Sequence, residues 1–127
     1  MQLEGMSVLV VEDEPDTLEL LAFILQQCGA AVTTAGSVRE ALDVFDRARP
    51  AVLVSDISMP ESDGYQLIAD VRARGADRGG SVPAVAVTAH RHEHNRRRAL
   101  AAGFQEFLTK PVDPEILCDT VARIRAR

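Results

Sequence analysis

Five short apolar runs punctuate the chain: Ser7 to Val11, Ala31 to Ala35, Ala51 to Ser55, Ala84 to Thr88 and Phe104 to Leu108. Three of them, Ser7 to Val11, Ala51 to Ser55 and Ala84 to Thr88, are apolar almost without interruption, as strands covered on both faces require. Between the runs the apolar positions fall into a longer period. Leu18, Leu21, Ala22 and Leu25 recur at i, i+3, i+4 and i+7, as do Val38, Ala41, Leu42 and Phe45, so both segments predict helices. Leu67, Ile68 and Val71 mark a third helix, and Leu117, Val121 and Ile124 a fifth. The first helix begins at Pro15 and stops at Gly29, a residue suited to a left-handed cap. The second opens on the capping box Ser37-Val38-Arg39-Glu40, and the fifth on Asp113-Pro114.

A fourth helical segment differs from the rest. His92 to Arg98 offers no apolar residue before Ala99-Leu100-Ala101-Ala102-Gly103, so little apolar area anchors it and it is expected to be the most mobile helix. Gly75-Ala76-Asp77-Arg78-Gly79-Gly80 reads as a flexible loop. Strict alternation of strand and helix predicts an α/β fold, a doubly wound (βα)5, flavodoxin-like five-stranded parallel sheet. Right-handed crossovers and short connections favour strand order 2-1-3-4-5.

Length and charge narrow the picture. A chain of 127 residues is expected to form one domain over 1–127, with a core from about 6 to 125 and no repeat, linker or output domain. The net charge of −5 argues against nucleic-acid or anionic-membrane partners. Arg91, Arg96, Arg97 and Arg98 make one local basic patch, read as a solvated or partner-facing surface. No apolar run approaches the ~20 residues that span a bilayer and no signal peptide is visible, so the chain reads as cytoplasmic, without membrane contact. Cys28 and Cys118 are too few and too far apart for a disulfide framework; they read as small buried hydrophobes without a function.

Candidate chemistry sits at the ends of the runs. The third ends in Asp56 and the first in Glu12-Asp13, so two neighbouring strands deliver three carboxylates to the carboxyl edge, where open α/β sheets bind ligands. Adjacent strands lie ~5 Å apart. Carboxylates that close repel by about 4 kcal/mol per pair at an effective dielectric of about 20, so the site wants a divalent cation. Hard oxygen ligands favour Mg2+, with Mn2+ as a substitute. The fourth run ends in Thr88 and the fifth in Leu108-Thr109-Lys110-Pro111, which adds a hydroxyl and an ammonium. Lys110 starts about 10 Å from Asp56, a gap that a long side chain leaning inward closes. Together these groups describe a phosphoryl site with Asp56 as nucleophile and an aspartyl phosphate as product.

With these residues in place, the chain resembles a response-regulator receiver domain of bacterial two-component signalling over essentially its whole length. The resemblance rests on Val10-Val11-Glu12-Asp13-Glu14-Pro15-Asp16, on Ser55-Asp56-Ile57-Ser58-Met59-Pro60 with Asp63-Gly64, on Val87-Thr88-Ala89 and on Thr109-Lys110-Pro111. It implies that Asp56 accepts phosphate from a histidine kinase or phosphotransfer domain. It further implies that Glu12, Asp13, Asp56 and the Ser58 backbone carbonyl hold Mg2+, and that Lys110 and Thr88 contact the phosphoryl group. A cis Lys110-Pro111 bond and a switch pair of Thr88 and Phe107 are implied too. So is a signalling or homodimer face on the fourth helix, fifth strand and fifth helix. Glu12 stands where Asp is commoner in that family, and its extra methylene makes Asp13 the preferred direct ligand.

His90, His92 and His94 form an H-x-H-x-H run in which His90 and His94 could face one way on a helix as metal ligands do, but no third protein ligand is visible and a solvated helix start is the plainer reading. The resemblance places Ser58 and His90 where phosphate lifetime is tuned. A receiver is a phosphoacceptor rather than an enzyme, catalysing only its own phosphorylation and dephosphorylation. The competing reading is a Mg2+-dependent phosphohydrolase with an Asp nucleophile, but the second acid such enzymes carry two residues later is here Ser58, and no cap domain is present. A flavin-binding reading lacks a phosphate loop after the first strand and has one Tyr and no Trp for the ring. The chain is expected to be either a single-domain regulator or the terminal receiver of a larger protein, and Leu3-Glu4-Gly5-Met6, which resembles the lead-in that joins a hybrid sensor kinase to its receiver, favours the second.

Overall fold

The computed structural model describes residues 1–58, 64–89 and 93–125. Its elements are β1 (Ser7–Val11), α1 (Pro15–Gln27), β2 (Ala31–Ala35), α2 (Val38–Ala48), β3 (Val52–Asp56), α3 (Gly64–Arg72), a 3-10 turn (Ala76–Arg78), β4 (Ala84–Thr88), α4 (Glu93–Ala102), β5 (Glu106–Thr109) and α5 (Pro114–Arg125). The strands form one parallel sheet in the expected order, β2-β1-β3-β4-β5. Two strand boundaries differ from the sequence reading. β3 ends on Asp56 itself, which stays in register with Val87 of β4. β5 starts at Glu106 because Gly103, at φ 124°, and Phe104, whose N–H donates to the Ala99 carbonyl at 3.1 Å, complete the end of α4.

Alternation along each strand divides the core into two layers. Leu9, Val11 and Leu53 pack against Phe45 of α2, Ile68 of α3 and Ala99 of α4. Val10, Val54 and Val87 face the other way, onto Leu21 and Leu25 of α1 and Leu117 and Val121 of α5. Every residue of β3 and β4 is buried, which explains their nearly unbroken apolar runs. Each large aliphatic or aromatic side chain so placed contributes roughly 1.5–3 kcal/mol relative to exposure.

Short polar contacts set the helix starts. Glu14 caps α1, its carboxylate accepting the Asp16 and Thr17 N–H groups ahead of a first turn that begins with Pro15. Ser37 Oγ accepts the Glu40 N–H at 3.1 Å, while Glu40 reaches back to the Gly36 N–H at 2.8 Å. Asp113 Oδ1 accepts the Glu115 and Ile116 N–H groups and starts α5. In α4, Ala99 is fully buried and the Arg98 guanidinium lies 4.0 Å from the centroid of the Tyr65 ring, so a cation–π contact adds to the anchoring that its apolar residues supply.

The structure corrects two expectations. Residues 75–80 form a hydrogen-bonded turn rather than a flexible loop: the Arg78 N–H donates to the Gly75 carbonyl, and the Arg72 and Arg49 guanidiniums donate to the Gly80 and Asp77 carbonyls at 2.8 and 3.0 Å. A Cβ on Gly80 would meet the Arg74 carbonyl oxygen at 1.8 Å, so the backbone approach itself demands glycine. Cys28 and Cys118 are not two separate small hydrophobes. They are paired as a disulfide, Cα atoms 6.7 Å apart, because the winding of the sheet lays α1 and α5 side by side in one layer. Among the described residues, no helix is long and apolar enough to cross a membrane.

Candidate functional site

The carboxyl edge of the sheet gathers its polar groups from the ends of β1, β3, β4 and β5. Glu12 follows β1, with its N–H donating to the Ala35 carbonyl of β2 at 3.1 Å. That bond turns its side chain inward, where the residue is 1% exposed. Asp13 is exposed beside it. Asp56, the last residue of β3, is 4% exposed, and its Oδ1 accepts the Ser58 N–H at 2.9 Å in an Asx-type turn. Ligand oxygens of Glu12, Asp13 and Asp56 all lie within 4.8 Å of one another.

Lys110 reaches this cluster from the far side. Its backbone N–H extends the β5 ladder to the Thr88 carbonyl at 2.7 Å, and the Lys110-Pro111 bond is cis, as expected. The side chain crosses to the acids: Nζ donates to Asp56 Oδ2 at 3.3 Å and to Glu12 Oε1. Thr88 is buried at the end of β4, with its Oγ1 3.4 Å from Ser58 Oγ. Phe107 is half-buried on β5 opposite Ala86, on the sheet face that Thr88 shares, and packs against the core beneath α4. Glu12, Asp13, Asp56, Ser58, Thr88 and Lys110 are thus brought together, while His90, Met59, Pro60 and Asp63 lie outside the described residues.

Burial and charge in this cleft perturb Glu12 and Lys110. Burial, before all else, pushes the Glu12 carboxyl up to about 7; Asp56 adds to the rise and the Lys110 hydrogen bond opposes it. For Lys110, burial works to lower the pKa, but the bond to Glu12 and the charges of Asp56 and Glu12 outweigh it and hold the ammonium above its usual range. The ammonium therefore stays charged beside Glu12 and Asp56. An all-oxygen, net-negative donor set fits a hard divalent cation such as Mg2+.

One contact was not legible from spacing. Lys110 was expected to face Asp56; it also bonds Glu12, which is the most buried of the three acids. The signal, a Glu in place of Asp, was visible in the sequence, since the longer side chain is what meets the ammonium halfway.

The model of the response regulator receiver domain matches residues 8–122. The chain belongs to the response regulator receiver family. A 14.6 kDa protein encoded in the sodA1 3′ region of Leptolyngbya boryana is 49% identical over 112 residues, covering 88% of this receiver and 84% of that protein. The sensor histidine kinase RcsC of Salmonella typhimurium is 34% identical over 119 residues, covering 94% of this receiver but only 12% of the kinase. The crystal structure of the receiver domain of a Pseudomonas aeruginosa PAO1 sensor histidine kinase, with a magnesium ion coordinated in its active-site cleft, superposes with a TM-score of 0.87 at 28% identity, over 97% of this chain and 99% of that one. This receiver is thus a domain of two-component signalling, with relatives in response regulators and in hybrid histidine kinases.

Proposed function

We propose that this receiver is the phosphoacceptor of a two-component phosphorelay and takes a phosphoryl group from a histidine kinase or phosphotransfer domain onto Asp56. The observation that carries this reading is the Asp56 carboxylate, held by the Ser58 N–H at 2.9 Å and paired with Lys110 at 3.3 Å inside the three-acid cluster. With Oδ1 tied down, one Asp56 oxygen is oriented to attack the phosphorus of an N-phosphorylated imidazole. An O–P bond forms as the N–P bond breaks, and the imidazole nitrogen leaves with the electron pair. Glu12, Asp13, Asp56 and the Ser58 carbonyl would hold Mg2+ or Mn2+; when bound, the ion supplies positive charge for the transferring oxygens. Lys110 neutralises the same oxygens, and the Thr88 hydroxyl donates to one of them. Ser58, and His90 by sequence position, tune the lifetime of the acyl phosphate.

Readout follows from the same residues. Drawing the Thr88 hydroxyl toward the phosphoryl group frees space on the sheet face it shares with Phe107. Phe107 rotates inward, and the α4-β5-α5 face, where Ile116 is 53% exposed beside Phe107 and Arg96, changes shape for its partner or for a second copy. The acidic net charge favours protein partners over nucleic acid, and we place the domain in the cytoplasm. Ser58 at the position of a hydrolase's second acid supports a domain that turns over once, on itself. Incubation with a small acyl phosphate and Mg2+ should therefore add one phosphate per chain, lost in Asp56→Asn and in chelator. Sustained release of inorganic phosphate from a generic phosphomonoester at many turnovers per chain would instead identify a hydrolase.

A further inference from the structure

The disulfide lies outside the acid cluster, and no part of the phosphoryl chemistry uses it. Its two sulfurs sit in unlike places. Cys28 is the residue after α1 and is half-buried, whereas Cys118 lies within α5 and is 1% exposed. Cys28 is therefore the more accessible residue of the pair, the one a reagent in solution reaches first. The thiol state of the buried residue is provided for as well: Cys118 Sγ lies 3.8 Å from the Ile24 carbonyl oxygen of α1, an acceptor for its S–H once the bond is open. Two oxidation states thus have partners within one packing.

The pair also binds together what surrounds it. The Cys28 carbonyl accepts the Leu3 N–H at 2.8 Å, and Gln2 Nε2 donates to Asp119 Oδ1 at 2.7 Å, so the amino-terminal turn is bonded to one cysteine and to the neighbour of the other. Leu3 and Met6, fully buried, belong to the same layer as Cys118, Leu117 and Val121. α1 and α5 otherwise pack mainly through apolar side chains of this layer, Leu21 and Leu25 against Leu117 and Val121, which fixes position less firmly than a covalent link.

We propose that Cys28 and Cys118 form a thiol–disulfide exchange site whose substrate is a small soluble disulfide and whose closed state clamps α5 to α1. The Cys28 thiolate attacks one sulfur of the small disulfide, forming a mixed disulfide and releasing the first small thiolate. The Cys118 thiol loses its proton to water and attacks the Cys28 sulfur; the Cys28–Cys118 bond forms and the second small thiolate leaves. Two protein thiols are oxidised and one small disulfide is reduced to two thiols. A reduced small thiol reverses both steps, starting at Cys28.

The test uses the full chain and glutathione as the probe. Reduced protein treated with glutathione disulfide should lose two hydrogens by intact mass, give a Cys28–Cys118 linked peptide, and return to the dithiol in reduced glutathione while folded. Cys118→Ala should stop at one glutathionyl group on Cys28, and Cys28→Ala should react at least tenfold more slowly. If Cys118→Ala does not fold, the wild-type arms decide. Hydrogen exchange of wild type should show α5 amides from residues 117 to 122 exchanging roughly tenfold more slowly in the oxidised form. Equal labelling of both cysteines without a link would overturn the proposal, as would a bond that opens only in denaturant, or identical α5 exchange in both states. None of these readouts involves phosphoryl transfer, so the result stands whether or not Asp56 is the phosphoacceptor.

Discussion

Glu12 gives the sharpest quantitative handle on the cleft. Its carboxyl is raised from an ordinary 4.5 to about 7, chiefly by burial. A raised pKa means that the folded chain holds a proton the unfolded chain has already released, so the associated stability is complete below about 4.5 and is lost as pH climbs through about 7. At about 1.4 kcal/mol per pH unit, the interval sets a loss on the order of 3 kcal/mol in metal-free protein. Glu12→Gln keeps an oxygen for Lys110 and removes the titration. Urea unfolding in chelator at several values from pH 4.5 to 8 should show wild type falling relative to Glu12→Gln by that amount, most steeply midway between the two pKa values, at about pH 5–6.5, and flattening above about 7. Groups remote from the cleft cancel in the difference. Parallel profiles for the two proteins, or a wild type that gains on the variant with rising pH, would refute the reasoning that burial dominates at this carboxyl.

Three further outcomes follow. Asp56→Asn removes two like-charge contacts within 4.8 Å and one attraction to Lys110; calorimetry of metal-free protein should show it more stable by roughly 1 kcal/mol, a few degrees in Tm, with Mg2+ affinity reduced. Lower apo stability in this variant would mean the acids serve the fold as caps. Thr88→Ala should still be phosphorylated, but chemical-shift mapping should find the response from Thr88 to Asp113 suppressed; an unchanged distal response would remove Thr88 from the readout. Phe45→Ala empties a 1% exposed position between α2 and α3 and should lower unfolding free energy by about 3–5 kcal/mol; a loss under 1 kcal/mol would contradict the packing described.

How far the sequence could be read depends on what each feature rests on. Strand order, both core faces and the start of each capped helix depended on period and on side chains close in sequence, and these were legible in runs such as Val52 to Val54 and in Ser37 and Asp113. The acid cluster was legible because each member ends a strand, and strand ends in this topology share one edge. The disulfide was not, because 90 residues separate Cys28 from Cys118 and only the lateral packing of α1 on α5 makes them neighbours. The turn at 75–80 was misread for a related reason: its glycines signal freedom locally, whereas distant guanidiniums of Arg49 and Arg72 and the close Arg74 carbonyl settle its conformation. The Glu12–Lys110 pair likewise depends on side-chain reach across two intervening strands, which spacing along the chain does not encode.

The central claim, that the Asp56 carboxylate itself takes the phosphoryl group, is tested most directly by locating the phosphate chemically. Protein phosphorylated with an acyl phosphate in Mg2+ should be reduced with borohydride, which converts an aspartyl phosphate to homoserine and leaves phosphoserine and phosphothreonine intact. Peptide sequencing should find homoserine at position 56, with Asp13 unmodified. Phosphate recovered on Ser58 or Thr88, whose hydroxyls lie 3.4 Å apart beside the cluster, with Asp56 unchanged, would contradict the account.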